Sequence, residues 1–335
     1  MHSTPFVSIV TPFYNTRQFL PECIESVLRQ TYENWEYVLV DNRSTDGSSE
    51  IAAHYVSRFP EKIRLIHTAS FLSQLQNYNF ALTCISSDSK YCKMVQADDW
   101  LFADCVRSMV EVAEAHPSVG IVAAYALAGE SVDQDGLPYP SPVVTGRDAC
   151  RFYFLKGKYL CGSATSSLIR SEVIRSRDPF YDERYAPIED AHVCFDVLRT
   201  WNFGFVHQVL TYSRRDNESM LSRMLPLGFI LFTRFALLVE HGRYYLSAEE
   251  YKRCLKHAER EYFVYLTKAA CALRPATREF WEFHRNGLAS TDYSLDWKRL
   301  ARWVPRAVLE KAWGAFWRRW DKDSRPDLDN GCAFQ

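Results

Sequence analysis

Two common nucleotide grips are missing from this chain. There is no Gly-x-Gly-x-x-Gly, which removes the dinucleotide fingerprint, and no Gly-x-x-x-x-Gly-Lys-Ser/Thr, which removes the P-loop. No Cys-x-x-Cys occurs, and of the 10 cysteines Cys84 and Cys92 are the nearest pair in sequence. Cys23, Cys105 and Cys194 fall on apolar helical faces, the pattern of reduced, buried thiols in a cytoplasmic protein and not of a zinc site or a secreted scaffold. Charge of one sign is also lacking: 40 Lys and Arg face 41 Asp and Glu, so no bulk attraction draws the chain to nucleic acid. The longest apolar run, Leu225 to Val239, has 15 residues and contains Arg234. A bilayer-spanning helix needs about 20. Met1 to Phe6 shows no basic segment leading into an apolar core, so no signal peptide is expected.

What is present is an alternation of periodicities. Val7–Val10, Tyr37–Val40, Ile63–Ile66, Lys93–Gln96 and Val119–Ala124 read as short buried strands. Between them lie helical stripes: Leu20, Cys23, Ile24, Val27 and Leu28, then Ile51 to Phe59, then Gln76 to Cys84, then Val106, Met109, Val110 and Ala113. Strand-helix alternation of this kind predicts an α/β fold, a mostly parallel sheet with helices on its faces. Residues 129–146, rich in turn formers, read as a surface loop over the site. Further strands are expected near Ser166–Ile169 and Phe203–Ser213, and a helical extension beyond about residue 220.

Ligands of such sheets bind at the carboxyl ends of strands, near the point where strand order reverses. Three of those ends are polar: Thr11-Pro12-Phe13-Tyr14-Asn15, Asp41-Asn42-Arg43-Ser44-Thr45-Asp46, and Gln96-Ala97-Asp98-Asp99-Trp100. Asp46, before Gly47, reads as a helix cap. Adjacent acids such as Asp98 and Asp99 exceed what one cap needs. Carboxylates converging in a crevice repel unless a divalent cation lies between them, and oxygen ligands favour Mg²⁺ or Mn²⁺.

Together these segments resemble family 2 glycosyltransferases of the GT-A fold. The opening strand with Pro12-Phe13-Tyr14-Asn15 resembles the family's P-x-Y-N turn. Val40-Asp41-Asn42-Arg43-Ser44-Thr45-Asp46-Gly47 resembles its V-D-D-G-S-T-D-G segment, and Gln96-Ala97-Asp98-Asp99 its D-x-D metal motif. Glu189-Asp190 resembles the later E-D motif, and Tyr212-Ser213-Arg214 a Y-x-R segment. The resemblance spans about residues 5–220. It implies an inverting transfer from a nucleoside-diphosphate sugar (UDP or dTDP) to a hydroxyl of a glycan, a lipid-linked or a small-molecule acceptor, assisted by Mn²⁺ or Mg²⁺. On this resemblance Pro12, Tyr14 and Asp41 line the base and ribose pocket. Gln96 stands where an acid is usual and contacts ribose. Asp98 ligates the metal, and Asp99 supports it or contacts the sugar. Asp190 is the general base with Glu189 beside it, and Arg214 faces diphosphate or acceptor.

Gln96 for the first acid, Asn42 for the second acid of V-D-D, Tyr78 where an Arg is usual and Asp216 where a His is usual are departures from the family pattern. Gln96 and Asn42 keep a second reading open, a sugar-nucleotide-binding protein that has lost transfer. His192 and His207 read as structural. The stretch Lys298 to Trp320 holds seven basic residues, one acid and the tryptophans Trp303, Trp313, Trp317 and Trp320. It reads either as a helix packed within the protein or as a peripheral contact with the inner face of a membrane, the latter allowing a membrane-surface scaffold. The expected domains are 1–220, catalytic, and 221–335, a helical extension.

Overall fold

The computed structural model describes residues 4–215, 223–273, 276–289, 291 and 293–312. The chain forms two compact units, Met1–Arg223 with His241–Ala248, and Met224–Glu240 with Glu249–Gln335.

The first unit is built on one sheet. Its N-terminal half runs β1 (Val7–Phe13), α1 (Leu20–Leu28), β2 (Trp35–Asp41), α2 (Ser48–Arg58), β3 (Ile63–His67), α3 (Gln74–Thr83) and β4 (Tyr91–Met94). Then come β5 (Trp100–Leu101), α4 (Cys105–Ala115), β6 (Val119–Ala128), β7 (Ser131–Asp133), β8 (Val143–Val144) and α5 (Gly146–Lys156). The unit closes with β9 (Ser167–Arg170), α6 (Ser171–Arg175), α7 (Glu189–Val197) and β10 (Asn202–Ser213). β1 is buried along its whole length, as expected of a strand covered on both faces. α1 buries Leu20, Cys23, Ile24 and Val27, the stripe its spacing predicts.

Strand order is β3-β2-β1-β4-β9-β6-β10-β5, with β7 and β8 beside β6 and β10. β3, β2, β1 and β4 are mutually parallel, and β10 runs parallel to β6. β9 enters the other way, antiparallel to both β4 and β6, so the sheet is mixed. A buried lysine holds that strand in place. Lys93, fully buried in β4, donates its Nζ to the carbonyl oxygens of Thr165 and Ser167 at the entry to β9. The turn Gly162–Ser166 therefore feeds β9 through a short 3₁₀ helix, Ala164–Ser166.

The chain moves from β1 outward through β2 and β3, then returns to place β4 on the other side of β1. That reversal opens the crevice at the carboxyl ends of β1 and β4. Because β10 shares their direction, its carboxyl end lies at the same edge.

The 129–146 stretch is more ordered than a surface loop. It contains β7 and β8, and is tied down by Asp135–Lys158 (2.6 Å), Asp133–Arg215 (3.3 Å) and the Ser141 N–H donating to His207 Nε2 (3.0 Å). His207 also bonds the Tyr125 hydroxyl, so its role is structural.

Beyond β10 the chain is helical, with helices at Phe229–Tyr245, Ala248–Ala270, Arg278–Ala289, Trp297–Ala301 and 304–312 among the described residues, and most of these residues make up the second unit. Aromatic packing dominates: Phe235 stacks on Tyr262 (4.9 Å), and the Tyr262 hydroxyl meets His284 Nδ1 at 2.8 Å. Asp296 caps the Trp297 helix by accepting from the Arg299 N–H. No helix among the described residues is long and apolar enough to cross a membrane. Trp303 is half-buried; Trp313, Trp317, Trp320 and Asp216 lie outside the described residues.

Candidate active site

The first two strand ends are tied together by side-chain bonds. Asn15 adopts φ +50 and Arg43 φ +66, left-handed conformations that concentrate at tight, functional turns. The Asn15 carboxamide oxygen accepts from the Thr45 N–H (2.8 Å), Ser48 Oγ from the Thr16 N–H (2.9 Å) and Asp46 Oδ2 from the Arg17 N–H (3.0 Å). Asp46 Oδ1 takes the Ser48 N–H and hydroxyl at the start of α2, from one residue before the N-cap position, which Gly47 occupies. A groove of about 460 Å³ runs along Asn15–Phe19 and Asp46.

Pro12 is buried in β1, while Tyr14 stands 43% exposed at the rim. Asp41 is 2% exposed. Its Oδ1 accepts from the Ser44 N–H and its Oδ2 lies 3.1 Å from His67 Nδ1. Asn42 has a different task. Its amide donates to the Leu72 carbonyl and accepts from the Leu72 N–H, which a carboxylate could not do. The strap it forms presents Phe71, 61% exposed, edge-on to Tyr14 at 4.9 Å. Phe71 went unread in the sequence because nothing local distinguishes a lone exposed aromatic.

The β4 end gathers the second set. Gln96 donates from Nε2 to the Tyr78 hydroxyl (3.0 Å) and from its backbone N–H to Thr165 Oγ1 (3.0 Å). Asp98 and Asp99 differ sharply. Asp98 is half-buried, whereas Asp99 is 4% exposed and accepts the Arg214 N–H (3.0 Å) and the Ser213 hydroxyl (3.3 Å). Burial, and then the neighbouring Asp98, push the Asp99 carboxyl up to about 6, against the pull of its hydrogen bonds. Asp99 thus anchors the end of β10 to the β4 end. Arg214 reinforces the anchor: it donates Nε to the Asp98 carbonyl, pairs with Glu22 at 2.7 Å, and lies over Phe19 and Trp100. Trp100 in turn stacks on Tyr212 at 3.6 Å.

Glu189 and Asp190 open α7. Asp190 Oδ1 accepts from the Ala191 N–H at 2.6 Å, and burial pushes its carboxyl above the ordinary value. Glu189 Oε2 is shielded from solvent and has no hydrogen-bond partner. Burial, and then Asp190, raise its carboxyl to about 7. Tyr78 and Tyr181 link this turn to the β4 end. Their rings lie 6.4 Å apart, Tyr78 bonds Gln96, and Tyr181 feels the charge of Asp190.

The raised Glu189 carboxyl has a stability consequence. The native state keeps this proton up to about pH 7, whereas an unfolded chain releases it near 4.5, so the group's contribution to stability falls as pH rises between those values. Glu189→Gln is expected to gain on wild type across that window, by on the order of 1–3 kcal/mol at pH 8. Thermal melts from pH 4.5 to 8 check this, and a gap that does not widen with pH contradicts it.

Residues 8–181, just over half the chain, match the sequence profile of glycosyl transferase family 2. The chain belongs to that family. EpsE of Bacillus subtilis is 30% identical over 156 residues, covering 45% of this chain and 55% of that protein. The glycosyltransferase GlyG of Streptococcus pneumoniae is 31% identical over 144 residues, covering 43% and 45%. The chain therefore spans about half the length of these curated relatives. Among solved structures, residues 1–349 of Staphylococcus aureus TarS, in complex with UDP-GlcNAc, superpose with a TM-score of 0.59. That likeness covers 86% of this chain and 79% of the other, at 14% identity. The Pyrobaculum calidifontis mannosyltransferase PcManGT, in complex with GDP-Man and Mn²⁺, superposes with a TM-score of 0.57 at 18% identity, covering 96% and 89%. The chain has the GT-A fold, with a mixed sheet flanked by helices and a helical C-terminal region.

Proposed function

We propose that this chain transfers a sugar from a nucleoside-diphosphate donor to a hydroxyl acceptor in a single inverting displacement. The observation that carries this reading is the pairing, in one unit, of a strand-end crevice bearing Asp98 with a poorly solvated acid pair at the start of α7.

The donor's base and ribose would lie against Tyr14, Phe71 and Asp41 at the ends of β1 and β2, with Gln96 at the ribose. Structures of fold neighbours hold UDP-GlcNAc or GDP-Man with Mn²⁺, which supports a nucleotide sugar as donor. Among the described residues no group of three or more His, Cys, Asp or Glu could hold a metal by itself. This fits a cation delivered with its diphosphate, since Mg²⁺ and its like use one or two carboxylates plus substrate phosphates. Asp98, at the crevice and not buried like Asp99, is the carboxylate for it. When bound, such a cation neutralises charge developing on the leaving diphosphate.

A neutral hydroxyl is a poor nucleophile, so a carboxylate must take its proton as the new bond forms. Asp190 is the carboxylate assigned to that task. Its raised carboxyl makes it a better base than an exposed aspartate, and the α7 turn holds it through the Ala191 N–H. Glu189 beside it is raised in turn by the charge of Asp190, after burial, and so holds its proton more tightly than an ordinary glutamate. The acceptor is a glycan, lipid-linked or small-molecule hydroxyl.

The reading is checked by following donor consumption by proton NMR in the presence of Mn²⁺, with UDP-GlcNAc and GDP-mannose as first donors. The first-formed sugar product should carry the anomeric configuration opposite to the donor's. Retained configuration would contradict a single displacement, and no consumption of any nucleotide sugar would favour a binding protein that has lost transfer.

A further inference from the structure

The stretch Lys298 to Trp320, with its cations and tryptophans, plays no part in the proposed displacement. Its described part, with Trp297 before it, forms the helix Trp297–Ala301 and the helix 304–312, joined by a turn at 302–303. One face of this segment is anchored. Leu300 and Ala307 are buried, with Trp303 and Val304 half-buried between them, the i, i+3, i+4, i+7 spacing of a packed helix face. The Thr267 hydroxyl donates to the Leu300 carbonyl (3.2 Å), Arg299 lies over the Tyr293 ring (4.7 Å), and Lys268 pairs with Glu310 at 2.9 Å. Thr267 and Lys268 thus fix the segment against the helix Ala248–Ala270.

The opposite face has the wrong chemistry for water alone. A helix on a soluble core ordinarily turns polar side chains outward. Here Trp297 is 74% exposed, Val308 49% and Leu309 68%. Trp297, Ala301, Pro305 and Leu309 follow at four-residue intervals, one row along the exposed side, with Val308 next to Leu309. Single exposed apolar residues are ordinary, but a contiguous row marks an interaction surface. Lys298, Arg302 and Arg306 form a second exposed row, one position on. Among the described residues Lys298, Arg302 and Lys311 make no ion pair. Glu310, the one acid between residues 297 and 312, is already held by Lys268 and by Arg306 at 3.1 Å. The exposed face therefore carries uncompensated positive charge beside one indole and two branched aliphatic side chains.

We infer that this face docks the protein on an anionic lipid surface, the helical segment lying in the plane of the headgroups. Charge decides the occupant. A second copy meeting the same face across a two-fold axis would bring like cations together, whereas lipid phosphates supply the missing counter-charge. The row from Trp297 to Ala312 is about 22 Å long, enough to lie along an interface and too charged to cross one. The Trp297 indole sits at headgroup level, Val308 and Leu309 reach the acyl boundary, and Lys298, Arg302 and Lys311 meet phosphates. Arg318, Arg319, Trp313, Trp317 and Trp320 continue the same composition in the sequence. No residue of this surface is assigned to transfer, so lipid binding and catalysis are read out separately.

The test is co-sedimentation of the full chain with vesicles of pure phosphatidylcholine or of equal parts phosphatidylcholine and phosphatidylglycerol. The protein should bind the anionic vesicles, leave the neutral ones, and dissociate as salt is raised. Trp297→Ser with Leu309→Ser, and separately Lys298→Glu with Arg302→Glu, should each weaken partition by about tenfold or more at an unchanged melting temperature. Lys252→Glu with Lys256→Glu makes the same change of charge on exposed residues of the helix Ala248–Ala270. Lys252 lies roughly 20 Å along that helix from Thr267, and this pair should cost less than about twofold. No binding to anionic vesicles, equal binding to neutral ones, or wild-type partition in both patch variants would overturn the inference. So would a control as damaging as the Lys298 and Arg302 pair, which would assign binding to bulk charge. Self-association without lipid, lost on Trp297→Ser with Leu309→Ser, would replace the bilayer by a second copy.

Discussion

Replacing Asp190 with Asn is expected to lower transfer by about 10²–10⁴-fold while leaving donor affinity within about twofold of wild type. The substitution is nearly isosteric. Asn keeps the shape of Asp, and its carboxamide oxygen can still accept the Ala191 N–H that now meets Asp190 Oδ1. The turn at the start of α7 should therefore persist, and only the ability to take a proton is lost. Donor binding is assigned to the ends of β1, β2 and β4 and not to α7, so it should hardly respond. Single-turnover kinetics with a measured donor Kd separate the two quantities. Near wild-type transfer in Asp190→Asn would move the base to another residue, and a parallel collapse of donor binding would mean that the turn, not the proton, was disturbed.

The second large effect divides two adjacent acids. Asp98→Ala is expected to abolish the dependence of donor affinity on Mn²⁺, with a loss of roughly 10²-fold or more at saturating cation, and to leave thermal stability close to wild type. Asp99→Ala should do the reverse in kind. It removes the acceptor of the Arg214 N–H and the Ser213 hydroxyl, leaving buried donors unpaired. A cost of about 2 kcal/mol in stability is expected, with donor affinity weakened only as far as the β10 end loosens. Titrating donor at several Mn²⁺ concentrations, alongside thermal melts of both variants, checks the division. If Asp99→Ala lost cation dependence and Asp98→Ala kept it, the assignment would be reversed.

How far the sequence showed this depends on the range of the forces involved. β1, β2, β4 and β6 were legible because strands covered on both faces are largely apolar runs, the edge strand β3 through its Ile63, Leu65 and Ile66, and their helices because apolar residues recur every three or four positions. β5, with two residues, is too short for any periodicity and exists through pairing with Thr211 and Tyr212. The reversed entry of β9 depends on Lys93 reaching carbonyls more than seventy residues away, which no local pattern signals. The same holds within the site. The acids at the strand ends were legible as a group, but the split between Asp98 and Asp99 was not, because Asp99 meets its partners across 114 and 115 residues of sequence. Asn42 looked like a weakened acid and is a strap for residues 68–72. His192 looked like an isolated histidine because its partner, His241, lies 49 residues away.

The most direct test of the account is a thermal-shift series with UDP, dTDP, GDP and CDP sugars, each with and without Mn²⁺. A ligand that binds the folded state alone raises stability by mass action, about 2.7 kcal/mol at a hundredfold excess over Kd. The account predicts that one nucleotide class raises the melting temperature, that the rise requires the cation, and that Asp98→Ala loses this cation-dependent rise. The absence of any shift with every nucleotide, cation present, would contradict it.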